Sequence, residues 1–151
     1  KGIKTMAITS AVCNSFKQEI LEAEHNFTAS SGNTFNLALY TSSATINKST
    51  TAYSATNEIS NTSGSAYSAK GNALTSVTPV LDSDTAVCDF SNTSWTSASF
   101  TANGCLIFND SHSSDAAVCT IAFGGDKTVT SGTFTIEFPA AAASTAIIQI
   151  A

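Results

Sequence analysis

The sequence predicts a mainly β fold: an antiparallel β-sandwich or jelly-roll of about seven or eight strands, with one short N-terminal amphipathic helix. Three observations predict this class. Short apolar or alternating stretches recur along the second half of the chain, turn residues separate them at regular spacing, and helical periodicity occurs once, near the start. A chain of 151 residues is long enough to bury a core, so one domain spanning 1–151 is expected.

Helical periodicity is confined to residues 10–24, SAVCNSFKQEILEAE, and Ser10 is the expected N-cap. Glutamates crowd the C-terminal end, which is unfavourable for the helix dipole. The helix is therefore expected to depend on packing against the sheet or a partner chain. Residues 1–9 are expected to be a flexible lead, in which Met6 is typical of a natural start. Apolar residues at three- and four-residue steps predict one stripe: Val12, Cys13, Phe16, Ile20 and Ala23.

The first strand is predicted at residues 33–41, where apolar side chains alternate between two faces. A long stretch rich in Ser, Thr and Asn follows over residues 42–72 and contains few bulky apolar residues. It predicts a long loop or arm, with turns at 61–64 and 70–72. A linker between domains is the alternative, but the segment before it is too short to be a domain.

From residue 73 onward the chain is predicted to be steadily β. Asn103-Gly104 is either a hairpin turn or a bulge within one continuous strand. The sequence GGDK at 124–127 predicts a turn that closes a strand. The predicted strands are 73–81, 85–90, 95–102, 104–108, 116–123, 133–138 and 146–150.

Charge composition argues against two classes of partner. The formal net charge is −5, there is no arginine, and the six lysines are scattered. Because neutralisation of phosphates drives binding to nucleic acids and anionic lipids, no nucleic acid and no membrane partner is expected. Charged residues make up 11% of the chain, against about 25% in typical soluble domains. The polar surface must therefore be built from neutral groups, supplied by 23 Ser, 22 Thr and 11 Asn.

The four cysteines, Cys13, Cys88, Cys105 and Cys119, show no C-x-x-C spacing, and neither histidine lies near them in a ligand pattern. Buried free thiols in a reducing compartment are therefore expected. A disulfide between Cys88 and Cys119 is the alternative, since both could lie on neighbouring strands.

No catalytic constellation is recognisable, so no catalytic residues, no cofactor and no metal are expected. There is no G-x-S-x-G motif, and the two histidines, His25 and His112, fall at a helix end and in a turn. Two polar groups could bind a cation, although structural or solvated turns are favoured for both. The first group is Asp82, Asp84 and Asp89, and the second is Asp110, His112 and Asp115.

Several stretches, taken together over residues 6–151, resemble one family. They are MAITSAVCNSFKQEIL, NLALYTSSATINKSTTAYSATNEIS, AYSAKGNAL, FTANGCLIFND, FGGDKTVTSGTFTIEFP and AIIQI. In order and spacing these are similar to a family of small virion proteins of tailed bacteriophages. One position departs from the resemblance, because a basic residue is expected where Asn103 stands.

The resemblance implies a non-enzymatic structural protein of the virion, assembled in the cytoplasm of the bacterial host. The expected role is that of a capsid decoration, or cement, protein that stabilises the head shell. Its partners would be the major capsid protein or other virion proteins, and a homo-oligomer is expected, with a trimer favoured. The helix and the 42–72 arm supply the docking or oligomer candidates: Val12, Phe16, Ile20, Tyr53 and Tyr67.

Two other functions compete with capsid decoration. A neck, tail or fibre-associated component of the same particle is the first. The second is a carbohydrate-binding sandwich displayed on the particle. It requires Tyr53, Tyr67 and Trp95 to form an exposed platform, whereas core packing is the competing interpretation of Trp95.

Overall fold

The computed structural model describes residues 7–62 and 64–151, which form two antiparallel sheets and a short helix. The predicted class, a mainly β antiparallel sandwich with one short N-terminal helix, is confirmed, and the helix is only six residues long. That helix is not long and apolar enough to span a membrane. In chain order the elements are β1 (Ala11–Val12), α1 (Asn14–Glu19), β2 (Phe35–Tyr40), β3 (Asn72–Ala73), β4 (Ser76–Asp82), β5 (Thr85–Phe90), β6 (Thr93–Asn109), β7 (Ala116–Ile136) and β8 (Ile148–Ile150).

The larger sheet has the strand order β1-β7-β6-β2-β3 and is built around the long β6–β7 hairpin. The two strands pair from Asn109 opposite Ala116 to Thr93 opposite Ile136. Strand β2 pairs with the half of β6 nearest the hairpin turn, and β1 and β3 add two residues each at the edges. The smaller sheet has the order β4-β5-β8.

Every residue of β2 is buried, so both faces of the larger sheet are covered. Alternate residues of a strand point to opposite faces. On one face the Phe35 ring lies 5.8 Å from the ring of Phe90 in β5, which places the smaller sheet there. On the other face, the Tyr40 hydroxyl donates to the Ser54 carbonyl at 2.7 Å, which places the long loop there.

The predicted arm over 42–72 is a loop, but it is packed against the sheet along much of its length. Ile46, Ile59 and Tyr67 are buried, and Tyr53 stacks on Phe108 with 4.8 Å between ring centroids. Asn72 belongs to β3 rather than to the loop. Of the predicted turn at 61–64, position 63 lies outside the described residues.

The helix is much shorter than the 10–24 predicted. Residues Ala11–Val12 are extended and pair with β7, so the helix begins at Asn14 and Cys13 is its N-cap, without a side-chain hydrogen bond. Ser10 is not the cap; its Oγ accepts a hydrogen bond from the Ala122 amide at 2.9 Å. The helix ends at Glu19 and is followed by a turn in which Ala23 has a φ of 61°.

The predicted lead over 1–9 lies outside the described residues as far as position 6. The next residues do not form a free lead. Ile8 is buried against Gly104, and the Thr9 amide donates to the Ile46 carbonyl at 3.2 Å.

The two strands predicted at 95–102 and 104–108 are one strand, β6, so Asn103-Gly104 is not a hairpin turn. The irregularity lies opposite, on β7, between the pairs Ala102–Lys127 and Gly104–Ala122. The extra residues, 123–126, form a bulge in which two consecutive glycines have φ values of 72° and 140°. The turn predicted at 124–127 is therefore wrong, and β7 continues through most of the strand predicted at 133–138.

The strand predicted at 73–81 divides between the two sheets. Its first residue, Ala73, belongs to β3 of the larger sheet, the chain crosses over at 74–75, and β4 begins the smaller sheet. The strand predicted at 85–90 is found with the same bounds, and the strand predicted at 146–150 is shortened to Ile148–Ile150.

Candidate docking surface

Exposed large apolar side chains are concentrated in one region of the described chain. Leu21, just after α1, is 87% exposed, and Ile150 on β8 is 55% exposed. The remaining three lie on β4, the opposite edge of the smaller sheet: Val77, Val80 and Leu81. Scattered exposed apolar residues such as those on β4 are normal, but Leu21 and Ile150 line the same cavity, which is typical of an interaction surface.

An apolar groove runs between α1 and β8. On its inner side, a cavity of about 110 Å³ reaches Cys88 and Ala86 of β5, and on its outer side a cavity of about 320 Å³ opens beside Gln149. Four side chains line both cavities: Phe16, Ile20, Ile148 and Ile150. We define the apolar groove by the residues Val12, Phe16, Ile20, Leu21, Ile148 and Ile150.

Helix α1, which forms one wall of the groove, is held in place by aromatic packing and by backbone hydrogen bonds at its N-terminus. Phe16 is buried, and its ring lies 4.9 Å from the ring of His25 and 6.0 Å from that of Phe27. The Cys13 amide donates to the Val118 carbonyl at 2.9 Å, and the Asn14 amide donates to the Lys48 carbonyl at 2.8 Å. Six residues of helix would not be stable alone, so this packing is what keeps the groove formed.

His25 joins the helix to the larger sheet. Its side chain is fully buried. Nδ1 lies 3.1 Å from Nδ2 of the Asn109 side chain, and Nε2 lies 2.9 Å from Oε2 of Glu19. The Asn109 side chain is oriented by its carbonyl oxygen, which accepts from the Ser111 amide at 3.1 Å. Because Asn109 then presents its NH₂ group, Nδ1 of His25 accepts and Nε2–H donates to Glu19.

Lys17 is the charged side chain that lines the groove. Within the described ranges it has no ion-pair partner, whereas two acidic neighbours are engaged elsewhere. Glu19 pairs with His25, and Glu24 lies 3.5 Å from His112. The groove is therefore an apolar channel with one positive charge on its rim.

Three of the five predicted docking residues meet in the groove: Val12, Phe16 and Ile20. Tyr53 and Tyr67 lie elsewhere, in the long loop that covers the other face of the larger sheet. Tyr67 is 1% exposed and offers no surface to a partner in this conformation. The predictions did not include Leu21, which falls outside the apolar stripe, or Ile148 and Ile150, which approach the helix only in the folded chain.

The aromatic platform required for sugar binding is not at the surface. Trp95 is 4% exposed and stacks on Tyr67, with 5.9 Å between ring centroids. Core packing is therefore the role of Trp95, and the exposed trio with Tyr53 does not exist in this fold.

Tyr53 and Tyr67 instead share the carboxylate of Glu58. The Tyr53 hydroxyl donates to Oε2 at 2.6 Å, while the Tyr67 hydroxyl and the Lys70 amide donate to Oε1 at 2.8 and 2.7 Å. Burial, reinforced by the hydrogen bond to Glu58, raises the pKa of Tyr53 to about 12. Burial also raises the pKa of Tyr67 far above its ordinary value.

The second polar group that the sequence offered as a cation site is part of an ion-pair cluster. Nζ of Lys70 lies 2.8 Å from Oδ1 of Asp110 and 2.8 Å from Oδ2 of Asp115, and hydrogen bonds to these carboxylates raise the pKa of Lys70. His112 lies apart from that pair, with Nδ1 2.9 Å from the Ser114 hydroxyl. The lysine therefore bridges the two carboxylates of the hairpin turn and offsets part of their negative charge.

The first polar group is dispersed. Oδ2 of Asp82 accepts from the Ala143 amide at 2.7 Å, whereas Asp89 is buried and its Oδ1 accepts from the Phe90 amide at 2.8 Å. Burial raises the pKa of Asp89. Across the described ranges, no three His, Cys, Asp or Glu side chains are arranged to hold a metal ion.

All four cysteines are buried free thiols, so the alternative disulfide between Cys88 and Cys119 is not formed. Burial raises the pKa of Cys13 to about 11 and that of Cys88 to about 12. Burial raises the pKa values of Cys105 and Cys119 further still. Thiolates are the reactive form, so these side chains act as small apolar core residues.

Comparison with known proteins gives no relative: no family model, no curated protein and no solved structure matches the chain.

Proposed function

We propose that the chain is a non-enzymatic structural protein of a bacteriophage particle, a capsid decoration protein that docks on the head shell through the apolar groove. The observation that carries the proposal is the groove itself, where Leu21 and Ile150 expose large apolar side chains beside a cavity of about 320 Å³. Burial of apolar surface of this kind against a partner removes it from water and so stabilises the complex. The family resemblance supports a role in a phage particle, and the groove supports this surface as the proposed place of contact.

The rest of the surface supports a role in close, neutral contacts. Charged residues are few, and the exposed polar groups are mainly hydroxyls and amides. Such groups can meet a partner surface without the desolvation cost of buried unpaired charges. The proposed partners are the major capsid protein or other virion proteins, together with further copies of the chain.

The direct test is binding to head shells of the phage that encodes the chain, prepared without it. Leu21→Asp and Ile150→Asp place a carboxylate in the groove, and Val80→Asp places one at an exposed position of the same sheet outside it. We expect the two groove variants to cosediment with shells at least about tenfold more weakly than the unmodified chain, since central interface residues carry most of the binding energy.

The control variant Val80→Asp is expected to bind normally, and all three variants are expected to keep the stability of the parent because the substituted side chains are exposed. Shell binding that is unchanged in both groove variants would remove the groove from the proposal. No binding of the parent chain to any shell preparation would overturn the decoration role.

The mass of the protein in solution distinguishes a capsid decoration protein from a neck or tail component. Light scattering on the purified chain is expected to give a trimer, the state that suits threefold positions between capsomers. A ring of six or twelve copies would instead favour a neck or tail component of the particle.

A further inference from the structure

The two sheets have four outer edges, and three of them carry features that discourage pairing. Strands β1 and β3 are only two residues long. Strand β4 contains Pro79, which lacks an N–H, and its register shifts between Val77 and Val80. Short length, proline and bulges are the devices by which proteins protect sheet edges.

Strand β8 lacks most of these devices. It consists of Ile148, Gln149 and Ile150, with no charge and no proline, and short length is its one protective feature. It pairs with β5 on one side, and no strand of the described chain pairs with its other side. The outer cavity of the groove is lined by all three residues of β8, whose side chains alternate between the two faces, so the cavity lies along this edge, with α1 on its far side.

We propose that the occupant of the groove is an extended apolar segment of a partner protein, carrying an acidic side chain, which adds to the smaller sheet as a new strand beside β8. This inference rests on the proposed function only in taking the groove as a docking surface. An extended segment satisfies both features of the site. Its backbone can pair with the free edge, and its alternate side chains can fill the space between β8 and the helix.

Charge complementarity selects the chemistry of the segment. Lys17 lines the groove and has no ion-pair partner in the part of the chain described, so a carboxylate on the incoming strand can pair with it. A lysine or arginine at the same position would be repelled. The contribution of this pair is small, because Lys17 is exposed, but it gives the site a preference that can be measured.

The test uses synthetic peptides and backbone NMR of the full chain. The probe is the capped nonapeptide Glu-Thr-Val-Thr-Val-Thr-Val-Thr-Glu, in which the glutamates and the valines share one face of the strand, so that a carboxylate is available to Lys17 in either strand direction. In one matched peptide the central valine is replaced by proline, which removes one backbone N–H, and in another both glutamates are replaced by lysine. The readout is the chemical shift and exchange protection of the amides of Ile148, Gln149 and Ile150.

We expect the probe, at concentrations up to the millimolar range, to shift the amides of β8 and to protect those that point away from β5. The proline peptide should bind about tenfold more weakly, because it cannot complete the strand. The lysine peptide should bind about two- to fivefold more weakly, in keeping with one exposed ion pair. Lys17→Glu should reverse the preference between the two charged peptides, and Lys127→Glu, an equal charge change outside the groove, should not.

The outcomes separate this inference from the proposed function. If the probe leaves the β8 amides unchanged, strand addition is overturned even when groove variants lose shell binding. If the probe binds at β8 while Leu21→Asp still binds shells, strand addition stands and the proposed docking site on the shell fails. If the β8 amides that point away from β5 are already protected in the free chain and its mass shows self-association, the occupant is a second copy, and the partner segment is overturned.

Discussion

Oε1 of Glu58 and the buried hydroxyl of Tyr67 are joined by a hydrogen bond of 2.8 Å. The same hydroxyl accepts from the Leu39 amide at 2.9 Å, so Tyr67 links the long loop to a central strand of the larger sheet. The carboxylate also receives the Tyr53 hydroxyl and the Lys70 amide. The Glu58 side chain thus binds the loop at Tyr53, Tyr67 and Lys70, within a segment whose described residues form no helix and no strand before β3.

Removal of the Glu58 carboxylate should loosen this loop. Glu58→Ala leaves the Tyr67 hydroxyl and the Lys70 amide without an acceptor, and unsatisfied buried groups cost about 1–3 kcal/mol. We expect the free energy of unfolding in urea to fall by that amount. Glu137→Ala, at an exposed position, is the control and should change it by less than about 0.5 kcal/mol. Equal losses in the two variants would show that the cluster does not stabilise the loop.

Alkaline pH should destabilise the fold through its tyrosines. The pKa of Tyr53 is raised from 10.0 to about 12, and those of Tyr40 and Tyr67 are raised further, mainly by burial. Each folded-state phenol therefore holds its proton at a pH where the unfolded one has lost it. Stability should be complete below pH 10 and should decrease as the pH rises through 12.

Urea midpoints measured across this range, with tyrosinate absorbance recorded in parallel, check the alkaline prediction. Tyrosinate should appear only as the chain unfolds. Ionisation of any tyrosine near pH 10 in the folded chain would contradict the burial described for these rings.

The thiols should be protected while the chain is folded. Cys13, Cys88, Cys105 and Cys119 are buried, and burial raises the pKa of each. In a disulfide-exchange assay near neutral pH, none should react on the timescale of an unfolded control, and all four should react in denaturant. A rapidly reacting thiol in the folded chain would place that cysteine at the surface, and fewer than four reactive thiols after denaturation would indicate a disulfide.

Gly104 should not tolerate a methyl group. A Cβ at this position would lie 2.6 Å from the Ile121 carbonyl oxygen and 2.6 Å from Cγ2 of Ile8. Overpacking of this kind typically costs about 1–3 kcal/mol, so Gly104→Ala should lower the urea midpoint clearly. Gly132→Ala is the matched control, since its Cβ would lie 3.2 Å from the end of the Val129 side chain and, in ordinary contact, 3.6 Å from the Thr130 carbonyl oxygen. If the two variants are equally stable, Ile8 does not pack over β6 as described.

The role of Gly104 shows why the sequence left β6 ambiguous. Asn-Gly is a strong turn signal in short-range terms. Here the glycine is required because Ile8, almost a hundred residues away in the chain, crosses over the strand. At Gly124-Gly125 a turn was predicted from a similar signal, but positive φ values make a bulge there and β7 continues. Whether a glycine ends a strand depends on the partner strand, which local sequence does not specify.

The helix was overpredicted for a related reason. Val12 and Cys13 fit the spacing of the apolar stripe, but Val12 pairs with Cys119 in the sheet. Over one or two turns, apolar spacing cannot separate a helix from an extended segment that leads into it. Three residues of the predicted stripe, Val12, Phe16 and Ile20, nevertheless line one groove in the folded chain. The other wall of the groove comes from β8, and no local pattern near the helix could have identified it.

The β6–β7 hairpin also has a consequence for how the chain folds. Only residues 110–115 join its strands, so their pairing closes a short loop. The pairing of β2 with β6 closes a much longer loop, because residues 41–92 lie between these strands. Short loops close at the lowest entropic cost, and contacts distant in sequence form more slowly. We therefore expect the hairpin to acquire amide protection first in a pulse-labelled refolding experiment. The arrival of β2 and the loop that covers it should then limit the rate of folding.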